Sequence, residues 1–291
     1  MLRPPRPIRL VRRIPARTPI HIKPLVLAVC ATPIGNLEDV TLRVLDELRS
    51  AEVVLAEDTR HTRTLLARHG ISASLLSFHE HNEAARTAEL LPRLQAGERI
   101  ALVSDAGLPG ISDPGHRLIR AARDVGVEVT VLPGPSAVET ALVASGLGGA
   151  GYVFVGFLPR KAAELSAFWR ESAGWGRPVV AFESPKRLPA TLRSLALVQP
   201  ARDVAVCREL TKRFEEVVLG PAADVAARFA ESPKGELTLV VGAFAEPAGG
   251  QDEARAAVGD LVAAGAARRT AADVVARLTG RSKNDLYRST L

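Results

Sequence analysis

From Leu25 onward, short apolar runs alternate with segments whose apolar positions recur at helical spacing. The runs Leu25–Ala31, Val53–Ala56, Leu75–Phe78, Ile100–Val103 and Glu128–Leu132 predict strands. The intervening segments Thr41–Ser50, Thr59–His69, Asn82–Ala96 and Gly115–Val125 predict helices. Such βαβ alternation implies a mostly parallel sheet with helices on both faces. After Pro133-Gly-Pro-Ser136 a second set begins. It runs as a helix to Ala144, strand Tyr152–Gly156, helix Lys161–Gly174, strand Val179–Phe182 and helix Pro189–Val198. Strands then dominate, at Asp203–Arg208, Glu215–Gly220 and Glu236–Gly242, with a helix at Ala222–Ala230. The change predicts a second α/β domain with a mixed sheet. The expected division is a tail over 1–23, an N-terminal α/β domain over 24–133, a C-terminal α/β domain over 134–245, a linker over 245–253 and a helical module over 254–291. The module's helices, Glu253–Ala264, Thr270–Thr279 and Ser282–Leu291 with a turn at Gly280, resemble a helix-turn-helix unit.

Charge refines this division. The chain of 291 residues carries a net +6, but residues 1–23 hold seven basic side chains and no acid, which leaves the rest at −1. The high isoelectric point is therefore not itself evidence for nucleic acid. Residues 254–291 hold seven basic against three acidic side chains, so basic character belongs to the two ends. The Arg- and Pro-rich tail lacks apolar periodicity and is expected to be disordered. It reads either as an RNA-attracting arm or as sequence upstream of a later translation start. No run approaches the ~18 apolar residues of a membrane span. Cys30 and Cys207 sit inside strand patterns, as small core residues of a reducing compartment.

The chemistry concentrates at strand ends. Ser104-Asp-Ala-Gly-Leu-Pro-Gly-Ile-Ser-Asp-Pro-Gly115 follows a strand and precedes a helix; its 12 residues make it a long βα connection. In open α/β sheets ligands bind at that edge, and Asp105 is the first carboxylate beyond the strand. Thr32-Pro-Ile-Gly-Asn36, Glu57-Asp-Thr-Arg60, Phe78-His-Glu-His-Asn-Glu83 and Pro133-Gly-Pro-Ser136 follow the other strands of the set. Five polar or Gly/Pro-rich loops thus converge on one edge, which points to an enzyme. Ser136 is placed to cap its helix or to bond an anionic ligand group there. His79 and His81 have no third ligand at metal-site spacing, so a helix cap is the better reading. Gly146–Gly151 fits G-x-G-x-x-G but leads from helix to strand, the reverse of the dinucleotide-binding context. In the second set, Phe182-Glu-Ser-Pro-Lys-Arg187 and Arg208-Glu-Leu-Thr-Lys-Arg213 place cations at strand ends, which suits a polyanionic substrate.

Taken together, Thr32-Pro-Ile-Gly-Asn-Leu-Glu-Asp39, Ala56-Glu-Asp-Thr-Arg60, Phe78-His-Glu-His-Asn82, the Ser104–Gly115 loop, Pro133-Gly-Pro-Ser-Ala137, Phe182-Glu-Ser-Pro-Lys-Arg187 and Lys234-Gly-Glu236 resemble the bacterial small-subunit (16S) ribosomal RNA cytidine 2′-O-methyltransferases of the tetrapyrrole methylase superfamily. The resemblance spans about Leu25 to Gly242 in order; the C-terminal helices match more loosely and the tail not at all. It implies a two-domain tetrapyrrole-methylase-like α/β fold with a cofactor cleft between the domains. It further implies S-adenosylmethionine as cofactor with no metal, a homodimer, a cytoplasmic location, and small-subunit ribosomal RNA or the 30S subunit as partner. Carried over by position, Ile34, Asp105, Ala106, Gly107, Leu108, Ser136, Ala137, Phe182, Leu237 and Thr238 are expected to hold the cofactor. Leu108 departs from the pattern, since many relatives carry Thr there.

The implied chemistry is in-line methyl transfer to a ribose hydroxyl, which needs alignment and removal of a proton. Glu183 is the candidate base, with Lys186 or Arg60 as the cation that lowers the hydroxyl pKa. Lys212, Arg213, Arg277, Arg281, Lys283 and Arg288 are the candidate RNA contacts. Two rivals stay open: a methylase of a tetrapyrrole or other small acceptor on the same fold, and a non-catalytic RNA-binding protein.

Overall fold

A computed structural model describes residues 27–244, 249–279 and 282–288. The tail, Gly280, Arg281 and part of the linker lie outside the described residues. The first unit takes the chain up to Thr32 and again from Val40 to Gly134. It runs β1 (Leu27–Cys30), α1 (Leu42–Ser50), β2 (Val53–Ala56), α2 (Thr59–Arg68), β3 (Leu75–Ser77), α3 (Glu83–Gln95), β4 (Ile100–Val103), α4 (His116–Asp124) and β5 (Val129–Leu132). The strands lie in the order β3-β2-β4-β1-β5 and every pairing is parallel.

Strand periodicity sorts the core of this unit. Ala28, Cys30, Val54, Ala56, Ala101 and Val103 pack with Val44, Leu45, Leu48 and Leu66 of α1 and α2. The alternate positions Leu27, Leu55, Ile100 and Leu102 pack with Leu90, Leu94, Leu118 and Ala122 of α3 and α4. Because both faces are covered, β1, β2 and β4 read as continuous apolar runs. Each fully buried Leu contributes about 1.5–3 kcal/mol. Thr41 caps α1 by accepting from the Val44 amide at 3.2 Å, and Asp58 caps α2 by accepting from the Arg60 amide at 2.8 Å.

The second unit takes Pro33–Asp39 and the chain from Pro135. Its α/β part runs α5 (Ala137–Ser145), β6 (Val153–Phe157), α6 (Ala162–Ala173), β7 (Val179–Glu183), α7 (Leu188–Val198), β8 (Asp203–Arg208), β9 (Glu216–Pro221), α8 (Ala222–Arg228) and β10 (Leu237–Val241). The order is β6-β7-β10-β8-β9, with β6 and β7 parallel and the other pairings antiparallel. The sheet is therefore mixed. One face packs against α6, α7 and α8 through Val179, Ala181, Val204, Val206, Leu237 and Leu239. The other packs against α5 through Val180, Ala205, Cys207 and Val240.

Two boundaries differ from the sequence expectation: α9 starts at Gly249, inside the expected 245–253 linker, and the first turn changes unit. Pro33–Asp39 falls within the predicted N-terminal domain but clusters with the second unit. Ile34 is buried with Val138, Ala141, Val180 and Leu210, and the Asn36 amide donates to Thr211 Oγ1 at 3.0 Å.

Three helices complete the described chain: α9 (Gly249–Ala263), α10 (Arg268–Thr279) and α11 (Lys283–Arg288). Ala254, Val258, Ala271, Ala272, Val275 and Leu286 form a small core of their own.

Candidate active site

At the carboxyl edge of the first sheet, the Ser104–Gly115 loop is tied to the end of β1. The Thr32 and Gly107 backbones exchange hydrogen bonds at 2.8 and 3.1 Å, and Thr32 Oγ1 donates to the Ser104 carbonyl at 3.0 Å. Ser104 Oγ donates back to the Gly107 carbonyl at 3.2 Å. At the loop's far end Glu83 accepts from the amides of Gly115 and Arg117, at 2.9 and 3.2 Å. A carboxylate of the protein thus already occupies the positive end of α4. Ala106, Gly107 and Leu108 lie in the stretch fixed by these bonds.

Asp105 Oδ1 accepts from the Asp58 amide at 3.0 Å, and Oδ2 lies 3.6 Å from His61 Nδ1. The Arg60 guanidinium grips Asp58 with two nitrogens, at 2.6 and 3.0 Å, and holds that carboxyl well below the usual range. Arg60 is otherwise exposed, and its partner is Asp58. Burial and the nearby Asp105 raise Glu57. Burial, then Glu57 and Asp105, push Asp113 up to about 7. The sequence pattern alone assigns no role to Glu57, Glu83 or Asp113. The signal for the last was present in the repeat of Ser-Asp at 104–105 and 112–113. His79 and His81 stack edge to face at 5.9 Å. No group of described residues is arranged to hold a metal. Asn82 does not cap α3 with its side chain; it accepts from the His79 amide at 2.9 Å instead.

The raised Asp113 has a thermodynamic consequence. Its folded pKa lies above the unfolded value, so the folded state binds more protons between roughly pH 4 and 7. Stability must fall as pH rises through that window. Asp113→Asn is therefore expected to raise the melting temperature at pH 8 and to change it little at pH 4. Equal shifts in melts at the two pH values would show that Asp113 is not strained by its neighbours.

In the second unit, Ile34 is seated by the β8–β9 hairpin. A Cβ on Gly35 would stand 2.5 Å from Lys212 Cγ and 2.8 Å from the Leu210 carbonyl, so only glycine lets the two segments meet. Lys212 ion-pairs with Glu209 and Glu236, both at 3.1 Å. This corrects its expected role, because its charge is engaged in holding the hairpin to the start of β10. Ser136 does not cap α5; its hydroxyl and that of Tyr152 both bond Glu139. Burial alone would raise Glu139, yet these two donors hold it below the usual value. Ala137 opens α5 and packs on the Ile34 cluster.

Phe182 meets Phe154 at 5.0 Å and Phe157 at 5.8 Å between ring centroids. A register shift between Phe154 and Phe157 places both rings beside Phe182. Phe182 pairs with Thr238 in the antiparallel ladder. Glu183, one residue on, points to the other face, where it is 3% exposed. It accepts from the Ser184 amide at 2.8 Å and from Thr191 Oγ1 at 2.7 Å, with Arg187 at 3.3 Å. A carboxylate so enclosed does not present itself to a substrate hydroxyl, so Glu183 is corrected from base to loop anchor. Arg187 extends the anchor by donating to the carbonyls of Leu158 and Pro159, at 2.9 and 2.7 Å. Leu237 shares that face and is buried in the core beneath α6, α7 and α8, which removes it from the expected cofactor wall. Lys186 is exposed beyond the anchor. Arg277 and Arg288 are exposed at the last turns of α10 and α11, whereas Lys283 pairs with Asp273.

Comparison with known proteins decides what these edges belong to. Residues 26–226 match the family Tetrapyrrole (Corrin/Porphyrin) Methylases. A "Ribosomal RNA small subunit methyltransferase I" of Thermotoga maritima is 43% identical over 219 residues, covering 74% of this chain and 97% of that protein. The protein of the same name from Mesorhizobium japonicum is 40% identical over 283 residues, covering 94% of this chain and 95% of its own. The chain belongs to the ribosomal RNA small subunit methyltransferase I family. The fold agrees: uroporphyrin-III C-methyl transferase from Thermus thermophilus, solved with S-adenyl homocysteine, superposes with a TM-score of 0.52 at 18% identity, covering 74% of this chain and 96% of that one. The Thermotoga member is matched almost completely by 74% of this chain, so about a quarter of the present chain has no counterpart there.

Proposed function

We propose that the chain transfers the methyl group of S-adenosylmethionine to the 2′-hydroxyl of a cytidine ribose in small-subunit ribosomal RNA. Identity above 40% with a named ribosomal RNA methyltransferase, over 97% of that protein, carries the reading. It disfavours a tetrapyrrole acceptor, since the tetrapyrrole enzyme cited above shares only the fold, at 18% identity.

The residues present suit the cofactor. S-adenosylmethionine is cationic at its sulfonium and ammonium groups. The edge formed by Glu57, Asp105 and Asp113 is one whose carboxylates repel each other, and a cation relieves that repulsion. Bound there, the cofactor supplies an already activated methyl group. Asp105, the backbone of Ala106, Gly107 and Leu108, and Ile34, Ser136, Ala137, Phe182 and Thr238 are the residues we propose to hold it, on the resemblance of their motifs.

In the transfer the sulfur–carbon bond breaks, an oxygen–carbon bond forms and the hydroxyl proton leaves. Asp113 has no hydrogen bond or ion pair among the described residues, which leaves its carboxylate free to accept, so we assign the proton to it. A pH profile of kcat that keeps its acidic limb in Asp113→Asn would remove that assignment. Lys186, exposed in the loop that Glu183 and Arg187 anchor, is the cation proposed to lower the hydroxyl pKa.

On the family resemblance, the enzyme is proposed to be a cytoplasmic homodimer. Arg277, Arg281 and Arg288 of the C-terminal module are proposed as accessory phosphate contacts. The test supplies labelled S-adenosylmethionine with small-subunit ribosomal RNA, 30S subunits and a precorrin-like tetrapyrrole in parallel. Label is expected in RNA, free or assembled; label in the tetrapyrrole alone would overturn the reading.

A further inference from the structure

The second sheet brings a set of unused side chains to one end. The ladder sets Phe157 of β6 against Phe182 of β7, Glu183 of β7 against Leu237 of β10, Leu237 against Arg208 of β8, and Arg208 against Glu216 of β9. The end of β6, the end of β7, the start of β10 and the β8–β9 hairpin therefore form one row. Its width is four strand spacings, about 19 Å.

Two features distinguish this row. First, it carries exposed phenyl rings in a chain with 4% aromatic residues. Phe157 is 61% exposed and Phe214 is 65% exposed; the other large exposed aromatic among the described residues is Tyr287 of the C-terminal module. Second, its charges are sorted. Most of its acids are engaged: Glu209 and Glu236 with Lys212, Glu216 with Arg208 and Arg228, and Glu215 with the Thr211 amide, with exposed Glu231 the exception. Arg160, Lys186, Arg213 and Lys234 are exposed and make no ion pair among the described residues. Arg213 lies over the Phe214 ring, with the guanidinium carbon 5.5 Å from the ring centroid.

We propose that this end of the sheet is the RNA-docking surface, where Phe157 and Phe214 stack unpaired bases and Arg160, Arg213 and Lys234 hold the phosphates between them. Unpaired cations interleaved with flat rings fit single-stranded RNA, whose bases stack on aromatic side chains while its backbone follows positive charge. An apolar protein partner would leave those cations desolvated and unpaired. A ribose hydroxyl is presented most readily by a strand held open in this way. The proposal deepens the ribosomal RNA reading and rests on it.

The experiment measures binding of an in vitro transcript of small-subunit ribosomal RNA at several salt concentrations. It compares the wild-type chain, Phe157→Leu, Phe214→Leu and the double variant Arg213→Glu with Lys234→Glu. Leucine keeps apolar contact but removes the flat ring, so folding is preserved; melting curves verify this. Each ring variant is expected to weaken binding about 5–100-fold. The charge variant is expected to weaken it at least tenfold at low salt and to reduce the log–log salt slope by about 2. Calorimetric affinity for S-adenosylmethionine is expected to stay at the wild-type value in Phe214→Leu and the charge variant. Folded variants that bind RNA as the wild type does would overturn the surface assignment. So would variants that convert a dimer to monomers in sedimentation, because the patch would then join two copies of the chain. If the wild-type chain itself neither binds nor methylates the transcript or 30S subunits, the ribosomal RNA reading fails instead.

Discussion

Asp105→Ala is expected to weaken S-adenosylmethionine binding about 10–100-fold while the fold survives. The carboxylate is exposed enough to reach a ligand, yet Asp58 and His61 fix its direction. A hydrogen bond to a charged group contributes about 1.5–3 kcal/mol, which sets the size of the loss. Removing the carboxylate also relieves Glu57 and Asp113, since Asp105 raises both. The variant is therefore expected to bind the cofactor weakly but to melt no lower than the wild type. Isothermal calorimetry with an unchanged dissociation constant would take Asp105 out of the site.

Gly115→Ala is expected to have the largest effect on stability. Gly115 sits at φ 134°, where side-chain-bearing residues are strained by about 1–3 kcal/mol. Its Cβ would also lie 2.8 Å from Leu102 Cδ2, in the buried layer beneath the loop, and overpacking adds about 1–3 kcal/mol. At about 4–8 °C per kcal/mol for a unit near 100 residues, the melting point should fall by roughly 10 °C or more. Cofactor binding should fail with it, because the same residue donates to Glu83 and ends the Ser104–Gly115 loop. A scanning-calorimetry trace that matches the wild type would show that the backbone here tolerates a side chain.

The fold was legible because its driving pattern is local. Buried parallel strands must be apolar on both faces, and β1, β2 and β4 announce themselves that way. In the two α/β parts element ends fell within about two residues of the observed ones, the usual range for caps, whereas α9 starts at Gly249 rather than Glu253. The family was legible because the strand-end loops are long and specific. What the sequence hid is tertiary. Ile34 stands four residues after the end of β1, a first-unit strand, yet its burial partners lie in the second unit. The pairing of Lys212 with Glu236 joins residues far apart along the chain. Ser136 looked like a cap, but Glu139 captures its hydroxyl. Glu183 shows the limit differently: once Phe182 was placed on the cofactor side, strand alternation already sent its neighbour to the opposite face. That inference was available from the sequence, and the carboxylate's burial against Thr191 and Arg187 bears it out.

The central claim is the position of the methyl group. The most direct measurement incubates the chain with S-adenosylmethionine and small-subunit ribosomal RNA or 30S subunits, digests the product to nucleosides and identifies the methylated species by mass spectrometry. The account predicts 2′-O-methylcytidine. A methyl group on a base, or on the ribose of another nucleoside, with cytidine ribose unmodified, would contradict it.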